Sequence, residues 1–264
     1  MSSPNDILIT PVTNPETDLP GVFNCIAQSF GAQIQETLWL AVNPSYDTPQ
    51  GRQRGIHHLQ HRYEHVTRNR DGDPNTVFIK ATVRAEPGDE NSPGGLDADG
   101  RKIVGMAIWQ QASFVEGYGD VPSTVYPEED LEDLDPREAR FARQMFASMW
   151  RRRVEVAREK AEAAVEGDDG GVPAIFVLDM CAVDPGYQRR GIAKGLVRWG
   201  LEEARRRGGL ECTTEATVMG LGVYKREGFR EEEGNDGALV YEVDEEFRDR
   251  RLLPVVFLRT GGGS

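Results

Sequence analysis

Apolar and polar residues alternate along several short segments of the chain, and this period-two pattern predicts β-strands. The segment 174–183 differs because it is almost continuously apolar, which is typical of a strand buried on both faces. Segments 76–84 and 103–111 are predicted to pair as a hairpin. The predicted strands are residues 7–12, 76–84, 103–111, 174–183, 210–214, 238–243 and 254–258.

Between these strands, apolar residues recur with the spacing of helices. Residues 21–42 predict two helices that meet at Gly31, residues 53–70 predict another, and a further helix begins at residue 191 and closes at Gly208.

The longest predicted helix begins with Asp135 as its cap, followed by Pro136 and by Glu138 three residues after the cap. It runs to residue 166. Its apolar stripe is predicted mainly to pack in the core and secondarily to form a wall of the substrate site. The stripe comprises Phe141, Met145, Met149, Val154, Ala157 and Ala161.

Three connecting segments are too polar for strands or buried helices. Residues 86–101, rich in Gly, Pro and Asp, are predicted to form a mobile loop that does not pack. The acidic run within residues 114–134 is usually a solvated face, although near a pocket it would attract an amine. Residues 261–264 are interpreted as a linker scar or a disordered end.

Composition narrows the classes of function. The formal net charge of -13 argues against nucleic-acid binding, which needs a basic surface, and favours cationic ligands. Three widely spaced cysteines fit reduced thiols in an intracellular protein better than a disulfide framework. With no signal-peptide pattern and no apolar stretch near about 20 residues, we expect no membrane segment and a cytoplasmic location, with the nucleus as the alternative.

An anion-binding loop is indicated where strand 174–183 passes into the helix that begins at residue 191. The sequence QRRGIA at residues 188–193 leaves the first helical amides without partners, at the positive end of the helix dipole. Those amides suit a diphosphate, and Gly191 keeps a side chain away from its path. A sharp turn with basic surface residues explains the same six residues equally well.

Two features in this order resemble the GNAT acetyltransferase superfamily. The first is the strand, turn and loop at residues 174–193, and the second is LGVYKREGF at residues 221–229, which is similar to that family's LY-x-x-GF ending. The resemblance covers residues 174–229. Ala193 replaces the last loop glycine of the family, and Thr217 stands where many members carry an asparagine that contacts the pantetheine arm of CoA.

The resemblance implies an α/β (α+β) fold with a mixed, mostly antiparallel central sheet of about seven strands flanked by helices. Fitted to that order, residues 1–260 form one domain. Residues 114–170 then form an acidic loop and a long helix inserted between strands 3 and 4, and we expect this insertion to set the choice of acceptor.

The resemblance also implies acetyl-CoA as the cofactor. Its diphosphate would lie on the amides of residues 188–193, and its pantetheine arm would run back along strand 174–183. The expected cofactor-binding residues are Met180, Cys181, Val183, Gln188, Arg189, Arg190, Gly191, Ile192, Ala193, Lys194 and Thr217.

Tyr224 matches the family's tyrosine and is the candidate acid for the leaving thiolate. Because a phenol of pKa about 10 is a weak acid toward a thiolate of pKa about 8.5, Tyr224 is expected to give a hydrogen bond more readily than a full proton. A tyrosine packed on a short helix is the alternative. Gly220 and Gly222 are expected to allow close approach of the cofactor.

Asp179 and Glu215 are the candidate bases, acting through water or holding the ammonium group of the acceptor. Asp179 is the one charge in its strand, so burial should raise its pKa unless a partner pairs with it. An aspartate satisfied by backbone amides is the alternative.

Four histidines lie on predicted helix 53–70, and His57, His61 and His65 share one face of it. A zinc site would want a fourth ligand, so we expect a polar helix face and no metal. Three apolar residues of the preceding predicted helices have two possible roles, which are packing in the core and lining the acceptor pocket. They are Phe30, Trp39 and Leu40.

The resemblance thus implies an N-acetyltransferase that moves the acetyl group of acetyl-CoA to a primary amine by direct attack in a ternary complex. The expected partner is a small-molecule amine, with no nucleic acid and no membrane, and a homodimer stays open. The alternatives are a protein lysine or N-terminal acetyltransferase and a non-catalytic acyl-CoA-binding protein.

Overall fold

Six strands form one sheet in a computed structural model that describes residues 6–165, 171–232 and 238–261. The strands are β1 (Leu8–Pro11), β2 (Thr76–Arg84), β3 (Arg101–Ala112), β4 (Ile175–Val183), β5 (Glu211–Thr217) and β6 (Val255–Arg259). They lie side by side in chain order. All neighbours are antiparallel except β4 and β5, which are parallel and are joined by a helical crossover.

Helices cover both faces of the sheet. They are α1 (Pro15–Ile26), α2 (Thr37–Val42), α3 (Pro49–Glu64), α4 (Pro136–Val165), α5 (Ile192–Arg206) and α6 (Val218–Arg226). One face carries α5 and α6. The opposite face carries α1, and Val156 and Ala157 of α4 pack there against β4 and β6. No helix in the described ranges is both long and apolar enough to cross a membrane.

The predicted fold class is confirmed, but the predicted count of about seven strands is wrong. Residues 238–243 form only one isolated bridge, between Ala238 and Val256. Their backbone turns to α4 instead: the N–H of Glu242 donates to Ser148 Oγ at 2.9 Å. The segment is extended like a strand, but a helix side chain takes the hydrogen bond that a further strand would need.

The helical segment 21–42 does not break at Gly31. A π-helix, Ala27–Ile34, continues α1 through this glycine, whose missing side chain leaves room for the rings of Trp39 and Tyr46. The break comes at Gln35, where φ is 52°. Glu36 then caps α2 by accepting from the backbone N–H of Trp39 at 2.6 Å.

The loop 86–101 packs more closely than its polarity predicted. The carboxylate of Asp97 is buried and accepts a hydrogen bond from Lys80 Nζ at 3.0 Å. Lys80 also donates to the buried Asp18 at 2.7 Å. A charged residue of the loop is therefore pinned to β2 and α1, because burying it with a partner replaces its lost hydration.

Candidate functional site

β4 and β5 separate halfway along their length. Their pairing ends at Leu178 with Thr214, where Thr214 Oγ1 donates to the Leu178 carbonyl at 2.9 Å. Beyond this rung the strands enclose a gap between residues 179–183 and 215–217, which we call the slot. It opens into a cavity of about 1760 Å³ lined by residues from both faces of the sheet.

Asp179 is a β-bulge at the start of the slot. On β3, Ile108 pairs with Met180 and Trp109 pairs with Leu178, so Asp179 faces no partner residue. An extra residue of this kind bends its strand and redirects its side chains. The bulge thus falls where β4 leaves β5.

The loop after β4 presents unpaired amides to the cavity. Gly191 precedes α5 with φ 85°, no side chain caps the helix, and the N–H of Gly195 is the first to reach back along it, to the Gly191 carbonyl at 3.0 Å. The N–H groups of Ile192, Ala193 and Lys194 occupy the first-turn positions that lack intrahelical acceptors. A Cβ on Gly191 would meet no atom within 4 Å, so the space before these amides is open.

This loop is held in place from the π-helix that continues α1 as well as from β4. Gln188 Nε2 donates to the Val183 carbonyl at 3.2 Å and to Gln33 Oε1 at 2.8 Å. Arg189 also has a positive φ, of 64°. Open amides at a helix N-terminus, beside basic residues, fit a diphosphate, and the unpaired edge of β4 fits an extended arm.

Nearly all of the expected cofactor-binding residues line this one cavity. The exception is Arg190, whose guanidinium lies 4.8 Å from the centre of the Tyr187 ring and donates to the Gly186 carbonyl at 3.2 Å. The cavity-lining members are Met180, Cys181, Val183, Gln188, Arg189, Gly191, Ile192, Ala193, Lys194 and Thr217.

Tyr224 lies on α6 at the α5 side of the slot. Burial, reinforced by the neighbouring Cys181 thiol, raises the pKa of Tyr224 well above its ordinary value, so its hydroxyl keeps its proton at neutral pH. A Cβ on Gly220 would lie 2.5 Å from the Tyr224 ring. Gly220 therefore makes room for this ring, and it also lines the cavity.

The two candidate bases lie on the opposite side of the slot and are both bound to Arg153 of α4. Arg153 Nη1 donates to Asp179 at 2.8 Å, and its Nε donates to Glu215 at 2.9 Å. Arg153 Nη2 contacts the second oxygen of Glu215. Arg62 of α3 pairs with the other oxygen of Asp179 at 2.8 Å.

These partners reverse the pKa shift that burial alone would give Asp179. Burial acts to raise the pKa of Asp179, but the guanidinium groups of Arg62 and Arg153 outweigh it and hold the pKa well below the usual range. The exception stated for the expected upward shift therefore applies, because two partners do pair with this carboxylate. A carboxylate held ionised in this way is a weak proton acceptor.

Arg153 and Arg62 were missed by the sequence reasoning. The side chain of Arg153 is only 7% exposed. Its position continues the four-residue spacing of Phe141, Met145 and Met149, whereas the predicted Val154 lies beside that stripe and is only partly buried. An arginine at a core position of an amphipathic helix was the available signal.

Aromatic side chains line the cavity near Arg153. The rings of Tyr126 and Phe146 stack with centroids 4.0 Å apart, and Phe146 lies 4.7 Å from Trp150. Trp150 Nε1 is buried and has no hydrogen-bond partner among the described residues. This wall combines apolar surface with an unused donor.

The remaining predicted pocket residues divide between cavity and core. Phe30 and Trp39 line the cavity, and Leu40 packs against the core cluster of α1. His58, His61 and His65 also line it, but no cluster of three metal-ligating side chains occurs in the described part of the chain.

The acidic run contributes to both core and cavity. Leu131 and Leu134 are buried, while Glu129 and Asp130 line the cavity. Burial raises the pKa of Asp130. The run is therefore more than the solvated face that such runs usually form.

The comparisons with known proteins agree with this geometry. Residues 151–231 match the family model described as an acetyltransferase (GNAT) domain. No curated protein matches the chain.

Solved structures of similar fold include a polyamine N-acetyltransferase from Drosophila melanogaster, with TM-score 0.50, 13% identity and coverage of 96% of this chain and 98% of that one. A mosquito arylalkylamine N-acetyltransferase-like protein has TM-score 0.49 and 11% identity, with 96% and 98% covered. The PaiA N-acetyltransferase of Thermoplasma acidophilum, solved with coenzyme A, has TM-score 0.41 and 10% identity, with 96% and 97% covered. At these identities the likeness concerns the fold alone. The matched residues 151–231 span the slot, the amide-bearing loop and Tyr224, so this part of the chain is similar to a GNAT acetyltransferase domain.

Proposed function

We propose that this protein is an acetyl-CoA-dependent N-acetyltransferase whose acceptor is the primary amine of a small molecule. The slot carries the proposal, because it joins the open amides of α5 and Tyr224 on one face of the sheet to an aromatic-walled chamber on the other. Two reactants entering from opposite faces would meet at the slot. Such orientation can supply roughly 7–11 kcal/mol of barrier reduction.

The residues of the chain divide the work of binding. Amides of Ile192, Ala193 and Lys194 bind the diphosphate, and the unpaired edge of β4 along residues 180–183 binds the arm's amides. Acetyl-CoA supplies an activated thioester when it is bound.

Tyr224 serves the sulfur side of the reaction. Acyl transfer gives the sulfur a negative charge as the C–S bond breaks, and a hydroxyl that keeps its proton at neutral pH can donate a hydrogen bond there. Its raised pKa favours hydrogen bonding over complete proton transfer.

Asp179 and Glu215 serve the acceptor side by holding Arg62 and Arg153 in place. Because both carboxylates are engaged with guanidinium groups, we assign them to structure and not to proton abstraction. The acceptor reacts as the neutral amine, and the proton that its nitrogen loses passes to water in the open cavity.

The choice of acceptor is tested by free-CoA release from acetyl-CoA with three probes: 2-phenylethylamine, spermidine and a lysine-containing peptide. Release with either small amine and not with the peptide supports the proposal. Release with the peptide alone favours a protein acetyltransferase, which the acidic cavity rim at Glu129 and Asp130 would suit. CoA binding with no release from any probe favours a non-catalytic binding protein.

A further inference from the structure

The guanidinium of Arg153 stands where the next rung between β4 and β5 would be. The last paired residues are Leu178 and Thr214. The residues that follow them are Asp179 and Glu215, and both are bound by Arg153. A side chain from a third element thus spans the two strands at the point where their backbones part.

The geometry of this bridge is restrictive. Arg153 binds Glu215 through two nitrogens in a fork and reaches Asp179 with the third, so its planar group fixes both carboxylates at once. The side chains of Arg153, Asp179 and Glu215 are 7%, 10% and 3% exposed. Little water is available to replace either contact.

The bridge is also anchored from two helices. Arg62 of α3 holds the second oxygen of Asp179, and Arg153 comes from α4, so two cations and two anions form one neutral network. The guanidinium of Arg153 packs 5.4 Å from the centre of the Trp150 ring, on the aromatic wall. The width of the slot is therefore tied to the inserted helix.

We propose that Arg153 is a positioning residue that sets the separation of β4 and β5 at the closed end of the slot, where the acyl group would meet its acceptor. The inference rests on the proposed acetyl transfer, since it concerns the same slot. Arg153 acts through the two strands, while the amides of α5 that would bind the diphosphate lie beyond the other end of β4.

The test uses a double variant that carries both Arg153→Met and Glu215→Gln. This variant leaves Asp179 its partner Arg62 and leaves no unpaired carboxylate in the slot. A second variant, Arg153→Lys, keeps the positive charge but loses the planar group that binds both carboxylates at once. Arg152→Met is the control, because Arg152 lies next on α4 but pairs with Glu232, Glu155 and Glu159 away from the slot.

Two readouts separate positioning from general loss of structure. Hydrogen exchange should rise in peptides that cover residues 179–183 and 215–217 and stay unchanged in β2 and α1. With the probe amine that the wild type uses best, kcat should fall by about 30-fold or more while KM for acetyl-CoA changes by less than about 3-fold, and Arg153→Lys should be intermediate.

Unchanged exchange at the slot overturns the proposal, as does a rise spread evenly over the whole chain. A wild-type protein that binds no acetyl-CoA and acetylates no probe refutes the proposed function instead. In that case the exchange data still decide whether Arg153 holds the two strands.

Discussion

At the scale of single residues, the slot has a different chemistry on each side. Tyr224 keeps a proton that it can share, because burial raises its pKa. Asp179 has lost the ability to accept one, because two guanidinium groups hold it ionised. A neutral donor thus lies on the α5 side of the slot, and a closed ion network lies on the opposite side.

The open amides before α5 lead to a prediction about CoA binding. Gly191→Glu should abolish the thermal stabilisation that CoA gives the protein, because the new carboxylate would enter the space before the amides and repel the diphosphate. Gly209→Glu is a matched control: Gly209 also has a positive φ, of 80°, with open space around it, at the far end of α5. Equal CoA-induced shifts in both variants would contradict the binding site.

The hydroxyl of Tyr224 leads to a prediction about turnover. Tyr224→Phe should lower kcat by about 10²-fold or more with little change in CoA affinity, because the hydrogen bond forms chiefly as charge develops on sulfur. Tyr63→Phe is the control, since it removes a hydroxyl that donates to the Val12 carbonyl outside the cavity. Turnover equal to that of the wild type would remove Tyr224 from the mechanism.

The ionised state of Asp179 leads to a prediction about pH. Its lowered pKa keeps the carboxylate charged above about pH 4, so Asp179→Asn should keep the acidic limb of the wild-type kcat/KM profile even if the rate falls. Glu215→Gln should behave likewise if Glu215 only holds Arg153. A limb that disappears in either variant would identify that residue as the base.

At the scale of elements, buried charged side chains join helices, strands and loops in a way that the pattern of apolar residues does not reveal. The loop 86–101 is anchored by Asp97, and the middle of β4, where it leaves β5, is anchored by Asp179. In each case one buried carboxylate joins elements that are distant in the chain. Buried ions of this kind restrict which arrangement of the elements is acceptable.

Lys80 provides the corresponding test of stability. Burial acts to lower the pKa of Lys80, but Asp18 and Asp97 outweigh it and raise the pKa, so the residue is a cation in the folded protein. Lys80→Met should cost about 3–5 kcal/mol of unfolding free energy, because two buried carboxylates lose their partner. Lys102→Met, which breaks a more exposed pair with Asp89, should cost about 1 kcal/mol or less in the same urea titration. Equal costs would contradict the role of burial.

Helix and strand periodicity predicted most of these elements, and the charged contacts between them were beyond its reach. The hairpin of β2 and β3, the start of α4 and the passage from β4 through the loop into α5 follow from local patterns. Residues 238–243 have a strand's apolar pattern, yet the N–H of Glu242 donates to Ser148 on α4 and not to a neighbouring strand. Such a partner is distant in the chain and leaves no local signal.

The candidate site divides in the same way. The groups proposed to bind CoA could be found in the sequence because they are backbone amides, glycines and one tyrosine within a single continuous stretch. The groups on the opposite side of the slot could not, because Arg62 comes from α3 and Trp150 and Arg153 from α4, and the two helices meet only after folding. Only Arg153 carried a visible sign, as a charge on an otherwise apolar stripe.

At the scale of the whole molecule, many carboxylates have pKa values lowered in spite of burial, by backbone N–H donors and by arginine or lysine partners. Those with lowered pKa include Asp97, Asp179, Glu211 and Glu232. The unfolded chain binds more protons than the folded one below about pH 4.5, so these groups stabilise the fold above that pH and lose their contribution as the pH falls toward their folded values. Glu36 and Asp130, whose pKa values burial raises, act in the opposite sense.

The melting temperature should therefore be nearly constant between pH 6 and 8 and fall by more than about 10 °C toward pH 3. Calorimetry across this range measures it. Asp179→Asn is the internal control. The difference between its melting temperature and that of the wild type should be largest above about pH 4 and shrink below it. A difference that stays constant down to pH 2 would mean that Asp179 is not held ionised by its partners.

The bulge at Asp179 shifts the alternation of side chains along β4 by one residue. Before the bulge Phe176 and Leu178 face the α5 layer, and after it Cys181 and Val183 do. The side chains on this face therefore change from even-numbered to odd-numbered positions. If Asp179 were instead paired with β3 as a regular strand residue, uniform alternation from Leu178 would turn Met180 and Ala182 toward α5 and Cys181 and Val183 away from Tyr224. The bulge therefore fixes which residues of β4 reach each face of the slot, and only changes that preserve the phase beyond it can keep both faces intact.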